Sequence, residues 1–457
     1  MRKANILIIG AGSAGTELAA DIKKTKQPWD LLGFLDDFVQ GAHVLGTMKN
    51  LDHVLRTHAI HKVFFAIPRI KTDQLIELRR TCHVHGVDFL LIPPDPSVVT
   101  SGASVSLLRP LRVSDILGRS FERGDLNAHR DFYQGLSVMV TGAAGSIGSE
   151  LVAQLTHTGV KQLICVDKHE YGIFELTQTH GSRKELRVAI ADLTQKDDVE
   201  GLFQRFGPPD VLFHAAAYKH VPLMESHAKI CIKNNILSFK HVADTAAQHG
   251  VKRFVLVSSD KAVHPANVMG ATKRHNELSM CDYQDAMHIN AVRFGNVLNS
   301  SGSVIPIFQR QIEQGGPVTV TDKRMKRYFM SIPEAAFLIL ETAKTDETNK
   351  IFLLDMGEMV PIVELAKKVI QVNGFIPEED IQIEFSHARP GEKLEEDLYL
   401  DTHQTPSHHP KISLVRDDHD DRTTFNTHTQ QLLEGLTQLS DDELKQLLFA
   451  SIKPTKL

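Results

Sequence analysis

The run Ser137–Thr141, SVMVT, leads straight into Gly142-Ala-Ala-Gly145-Ser146-Ile147-Gly148 and then into SELVAQLTH. An apolar run, three glycines spaced by three, and an amphipathic stretch predict a strand, a tight turn and a helix. This order restricts the fold more than any other feature of the chain. It sets free backbone N–H groups and the positive end of a helix dipole at a strand's carboxyl end, where a diphosphate can bind. LICVDK (163–168) is the next predicted strand, and its Asp167 falls 19 positions past Gly148. A carboxylate there accepts ribose hydroxyls and repels a 2′-phosphate, whereas Lys168 beside it leaves room for one. NAD is therefore expected, with NADP as the alternative.

Further strands follow in the same style. Asp210 to Ala217 ends in Ala215, Ala216 and Ala217, and small side chains there let a cofactor lie against backbone. Phe254 to Val257 is a buried strand that exits into Ser258, Ser259, Asp260 and Lys261. In an open α/β sheet that end faces the ligand crevice. Met269 and Lys273, four apart on the next helix, share one face. Asp192-Leu193, after RVAIA, would by itself only cap a helix starting near Thr194.

A second glycine turn lies near the start. NILIIG leads into Gly10-Ala-Gly12-Ser-Ala-Gly15, and Asp36 ends the stretch LLGFLDD. KVFFAI (62–67) and DFLLIP (88–93) are two more strands. These glycines serve either a second nucleotide or a tight turn alone. The expected organisation is α/β with two Rossmann-like domains. Residues 1–98 form the first, 99–134 a linker, 135–400 the NAD(P)-binding domain with a smaller substrate-binding part, and 401–457 a tail.

Composition narrows the function classes. Lys plus Arg is 51 against 56 Asp plus Glu, a net charge of −5, which offers no basic face for nucleic acid. The four cysteines form no C-x-x-C pair and are expected as buried reduced thiols in the cytoplasm. No apolar run approaches the roughly 18 residues that span a membrane, and no secretory leader is visible. His403, His408 and His409 fix no ligand geometry, so a solvated loop is expected and no metal.

Five segments in order carry a family resemblance: TGAAGSIGSEL, HAAAYKHVPLME, SSDKAVHPANVMGATKR, RFGNVLNSSGSVIP and ARPGEKL. Together they resemble the large UDP-N-acetylglucosamine 4,6-dehydratases of capsule and glycan biosynthesis, which are extended short-chain dehydrogenase/reductases. The likeness runs to about Leu400. It implies a soluble, shortened member and a homo-oligomer. The fold family usually places Tyr four residues before its active lysine; here Met269 occupies that position, as in the resembled dehydratases. The resemblance implies Asp260 as acid at C6, Lys261 as base at C5, Ser259 bonding O4, and Lys273 on the nicotinamide ribose. It makes Asp192 and Leu193 adenine contacts. It makes Lys219, His220, Asn296, Ser300, Arg327, Arg389 and Glu392 contacts of a UDP-sugar. The expected activity is an NAD-dependent 4,6-dehydratase. A 4-epimerase and a non-catalytic nucleotide sensor are the alternatives.

Overall fold

The computed structural model describes residues 3–25, 27–41, 43–93, 102–117, 127–398, 404–415 and 422–452. The chain divides into two units that do not follow chain order. One comprises Met1–Glu122, Gly302–Lys323 and Ile362–Ser386; the other comprises Arg123–Ser301, Arg324–Pro361 and His387–Leu457.

In the first unit, the unbroken apolar run Ile6–Ile9 is fully buried. Such a run suits a parallel strand covered on both faces. It forms β1 (Ala4–Ile9), flanked by β2 (Trp29–Leu35) and β4 (Lys62–Phe65). With β3 (Val44–Gly46), β5 (Asp88–Leu91) and an antiparallel β6 (Arg109–Pro110), the sheet order is β3-β2-β1-β4-β5-β6. Helix α1 (Ser13–Lys24) follows the first glycine turn. Strands Val318–Val320 and Ile383–Phe385, distant in sequence, pair with each other in this unit. The segment expected as a linker thus contributes β6 to one unit and the helix Asn127–Tyr133 to the other.

The second unit is built on nine strands. Six are β7 (Ser137–Thr141), β8 (Gln162–Asp167), β9 (Leu186–Ile190), β10 (Val211–His214), β11 (Arg253–Val257) and β12 (His288–Arg293). They lie in the order β12-β11-β10-β7-β8-β9, all parallel. Lys350–Leu354 extends the sheet beyond β12, and Ile412–Val415 and Gln404–Pro406 close that edge antiparallel. Side chains alternate between two cores. Val138, Val140, Phe213 and Val255 enter one; Met139, Leu212, Phe254 and Leu256 enter the other. The chain returns from β7 outward to β8, then crosses back to β10, so the crevice opens at the carboxyl ends of β7 and β10. The expected architecture, with two Rossmann-like sheets, is the one observed.

Candidate active site

The turn after β7 needs its glycines for close approach. Gly142 has φ of +69°, and a Cβ on it would lie 2.6 Å from the Ala216 nitrogen. A Cβ on Gly148 would lie 2.0 Å from the Gly142 carbonyl oxygen. Helix α2 (Ser146–Leu155) therefore starts tight against the strand, and Gly145 at its N-cap offers no side-chain cap. Its first N–H groups are left for an anion. Asp167, at the tip of β8, accepts hydrogen bonds from the N–H groups of Ala144 and His169, each at 3.0 Å. Gly145, Asp167, Asp192, Leu193, Ala215 and Ala217 line one cleft. Ile147 packs against the core on the inner side of α2, and Ser146 accepts from the Ser301 N–H at 3.2 Å. Lys168 donates to Asn234 Oδ1 at 2.6 Å and lies 4.5 Å from the centre of the Tyr218 ring. Asp192 accepts from the Thr194 N–H at 3.0 Å in the preceding turn; it does not cap the helix Lys196–Phe206, which begins later than expected and has Gln195 at its N-cap. The cleft's donors, acid and small walls fit a dinucleotide.

At the end of β11, Ser259 donates to Asp260 Oδ1 at 2.8 Å, and its oxygen accepts from the Lys261 N–H at 3.3 Å. Lys261 Nζ lies 3.1 Å from Asp260 Oδ1 and 3.2 Å from Asn296 Oδ1. Asp260 is fully buried, and its Oδ2 has no hydrogen-bond partner among the described residues. The turn thus presents an amine and a half-satisfied carboxyl on adjacent residues.

Helix α3 (Val268–Ser279) is buried at all twelve positions despite its polar sequence. Each polar group needs a partner to tolerate that. Asn267 caps the helix, accepting from the Gly270 N–H at 2.7 Å. Thr272 accepts from Asn235 at 3.0 Å. Asn276 donates to the Asn235 carbonyl at 2.8 Å, and His275 meets Thr429 at 2.9 Å. Glu277 accepts from Ser258 at 2.6 Å and from two nitrogens of Arg293 at 2.8 and 2.6 Å. Burial pushes the Glu277 carboxyl up, but the charge and hydrogen bonds of Arg293, with Arg274 and Ser258, hold it below its ordinary value. Lys273 donates to the Val257 carbonyl at 2.7 Å. Burial lowers its ammonium to about 8, with Glu277 and Cys231 acting the other way. Met269 packs in an apolar cluster with Val221, Met224, Phe425, Leu444 and Leu448. The last three belong to helices Arg422–Glu434 and Asp441–Ser451, so the tail covers α3.

The expected sugar contacts separate into groups. Asn296 touches Lys261, and Ser300 is buried, donating to the Val297 carbonyl at 3.3 Å. Lys219 and His220 are exposed after β10. Arg389 is exposed, in a turn where Glu392 accepts its N–H at 3.1 Å. Arg327 is buried and donates to the carbonyls of Lys326, Lys393 and Leu394 at 2.7, 2.7 and 3.0 Å. Its guanidinium is already committed to backbone.

Four groups escaped the sequence reading. Glu277, Arg293 and Asn235 form the buried network around α3. Glu396 lies 3.9 Å from Lys261 Nζ. The glycan-type motif ARPGEKL stops two residues before Glu396, and the spacing of the others carries no local pattern.

In the first unit, Asp36 repeats the arrangement of Asp167. It accepts from the Ala11 N–H at 2.7 Å and lines a cleft with Gly10, Gly12 and Ser13. No group of three or more His, Cys, Asp or Glu among the described residues could hold a metal. His403 lies outside those residues. No helix among them is long and apolar enough to cross a membrane.

Comparison with known proteins gives a consistent neighbourhood. The family model described as "Polysaccharide biosynthesis protein" matches residues 138–417. The probable polysaccharide biosynthesis protein EpsC of Bacillus subtilis is 38% identical, over 98% of this chain and 77% of its own length. The inverting UDP-N-acetylglucosamine 4,6-dehydratase of Campylobacter jejuni (strain 81-176) is 28% identical, over 68% of this chain and 94% of its own. A UDP-glucose 4-epimerase of Rickettsia akari is 31% identical, over 57% and 77% respectively.

Proposed function

Because the chain belongs to the polysaccharide biosynthesis protein family, we propose that it is an NAD-dependent nucleotide-sugar 4,6-dehydratase acting on UDP-N-acetylglucosamine. The observation that carries this reading is the Asp260–Lys261 pair at the carboxyl end of β11, beside a helix that has Met269 in place of a phenol. A plain alcohol dehydrogenase or a simple epimerase would need that phenol for O4. An elimination across C5 and C6 needs instead a base and an acid close together.

In this mechanism NAD supplies the two-electron acceptor that makes C4 a ketone and is restored when C6 is reduced. The ketone acidifies the C5 proton. Lys261, neutral at that moment, takes it. The half-satisfied carboxyl of Asp260 gives its proton to O6, which leaves as water. Ser259 bonds O4, and Asp260 or a water held by Lys273 takes the O4 proton. As C6 is reduced, Lys261 returns its proton to C5, and the net change is loss of one water. Gly142–Gly148 and α2 hold the diphosphate, and Asp167 the adenosine ribose. The contact of Lys168 with Asn234 supports NAD over NADP, because that cation is already engaged. The glycan pathway is inferred from the family.

The test is to incubate the protein with UDP-N-acetylglucosamine and NAD and to weigh the product. Loss of the mass of water is expected. An isomer of equal mass would make the protein an epimerase, and an unchanged substrate would favour a nucleotide sensor.

A further inference from the structure

The segment after the ARPGEK motif is dense in charge, yet its acids do not behave alike. Glu395 is exposed and pairs with Lys326 at 2.9 Å. Asp397 is exposed and pairs with Lys393 at 3.1 Å. Glu396 alone of the three turns inward, at 5% exposure. A buried carboxylate is costly unless cations face it. Among the described residues two pair with it directly, both at Oε1: Arg327 at 3.7 Å and Lys261 at 3.9 Å. Arg327 already has three carbonyl acceptors, so it does not require Glu396. Among the described residues, Lys261 has Asp260 and Asn296 besides.

The backbone around Glu396 is held against the catalytic turn. Arg327 binds the carbonyls of Lys393 and Leu394, the Lys326 N–H donates to the Leu394 carbonyl at 3.0 Å, and Lys393 Nζ donates to the Val263 carbonyl at 3.2 Å. A carboxylate fixed this firmly, at a distance longer than a hydrogen bond, acts on Lys261 through charge.

We propose that Glu396 is a positioning residue for Lys261, a second anionic anchor that, with Asp260, keeps the amine end of that side chain at the reacting face of the turn. This rests on the reading of Lys261 as the C5 base. The charged groups facing Glu396 are Lys261, Asp260, Arg327 and Lys393. Burial raises its carboxyl; Lys261 pulls it down, Asp260 pushes it up, Arg327 and Lys393 pull it down, and the sum leaves it above the ordinary value.

The experiment compares Glu396→Gln and Glu396→Asp with the wild type, using UDP-N-acetylglucosamine and NAD. Glu396→Gln keeps the shape and removes the charge. Its kcat should fall about 10- to 100-fold, as expected for a displaced catalytic group. KM and bound NAD should stay within about threefold, because neither sugar nor cofactor contact is lost. Without the carboxylate the amine loses its proton more readily, so the acid limb of the kcat/KM profile should move to lower pH. Glu396→Asp, with the charge drawn back, should fall between wild type and Glu396→Gln in both kcat and limb position. If Glu396→Gln fails to bind NAD and so has not folded, Glu396→Asp decides on the same two readouts. Wild-type kcat with an unmoved limb in the deciding variant overturns the proposal. A lower kcat with an unmoved limb also overturns it, since that is a structural effect. Persistence of C5 deuterium exchange in Lys261→Met would instead remove Lys261 as the base, an outcome these variants do not produce.

Discussion

Gly270 joins helix α3 to the Ser259–Lys261 turn, and replacing it by alanine separates two effects that usually run together. A Cβ at this position would lie 2.2 Å from the Lys261 carbonyl oxygen, while contacts under 3.0 Å are essentially never made by real Cβ atoms. Helix and turn must therefore part by about 0.8 Å, the difference of those two distances. Helix propensity alone predicts a gain of about 1 kcal/mol for alanine. Overpacking of this kind costs about 1–3 kcal/mol, so the net loss of stability should be small, at most about 2 kcal/mol. Activity should suffer far more. The displaced atom belongs to Lys261, and a shift near 1 Å in a catalytic group costs on the order of 100-fold. Urea unfolding, NAD titration and turnover on the same preparation test this. Turnover should drop about 100-fold while NAD affinity stays within a few-fold, since the Gly142–Gly148 turn is untouched. A Gly270→Ala protein with wild-type turnover would refute the argument that this joint positions the pair.

Other substitutions address the roles singly. Lys261→Met should lower turnover about 100- to 10,000-fold and stop solvent deuterium entering C5, whereas Met269→Ala should be much milder, because a thioether packs but moves no proton. Single-turnover product mass distinguishes them, and the reverse order would contradict the assignment. Asp167→Ala should weaken NAD binding by roughly 0.5–3 kcal/mol per lost ribose hydrogen bond, measured by calorimetric titration; unchanged affinity would move the ribose elsewhere. Burial holds the imidazoles of His214 and His275 neutral, lowered to about 3 from 6.5, with Lys273 and Arg422 acting the same way. The unfolded chain binds the extra protons, so stability present above 6.5 should be lost as pH falls toward 3. Urea midpoints taken along that range should decline, and His275→Gln should flatten the decline.

Much of the fold was legible because parallel sheets write themselves as apolar runs punctuated by glycine. Ser137 to Gly148, Asp167 and the strand before Ser258 could each be placed from a dozen neighbouring residues. The surroundings of α3 could not. Arg293 reaches Glu277 across 16 positions and Asn235 reaches Thr272 across 37, with no local pattern to announce either. Residues 401–457 read only as a tail, yet Phe425 and Leu448 complete the cluster around Met269. Likewise Val318–Val320 and Ile383–Phe385 read as parts of the second domain in chain order, but they pair within the first unit. Arg327 and Arg389 looked equivalent as motif arginines. One is buried on carbonyls and the other lies in an exposed turn, a difference that depends on partners far along the chain.

A helix covered on every side has an evolutionary consequence. Surface helices drift freely on one face and conserve function on the other. Helix α3 offers no such division, since each of its twelve positions is buried. A change made there to retune the reaction disturbs the scaffold in the same stroke. New substrate preferences in chains built this way should therefore arise in the flanking segments 296–300 and 389–396. These meet Lys261 through Asn296 and Glu396 without belonging to the helix.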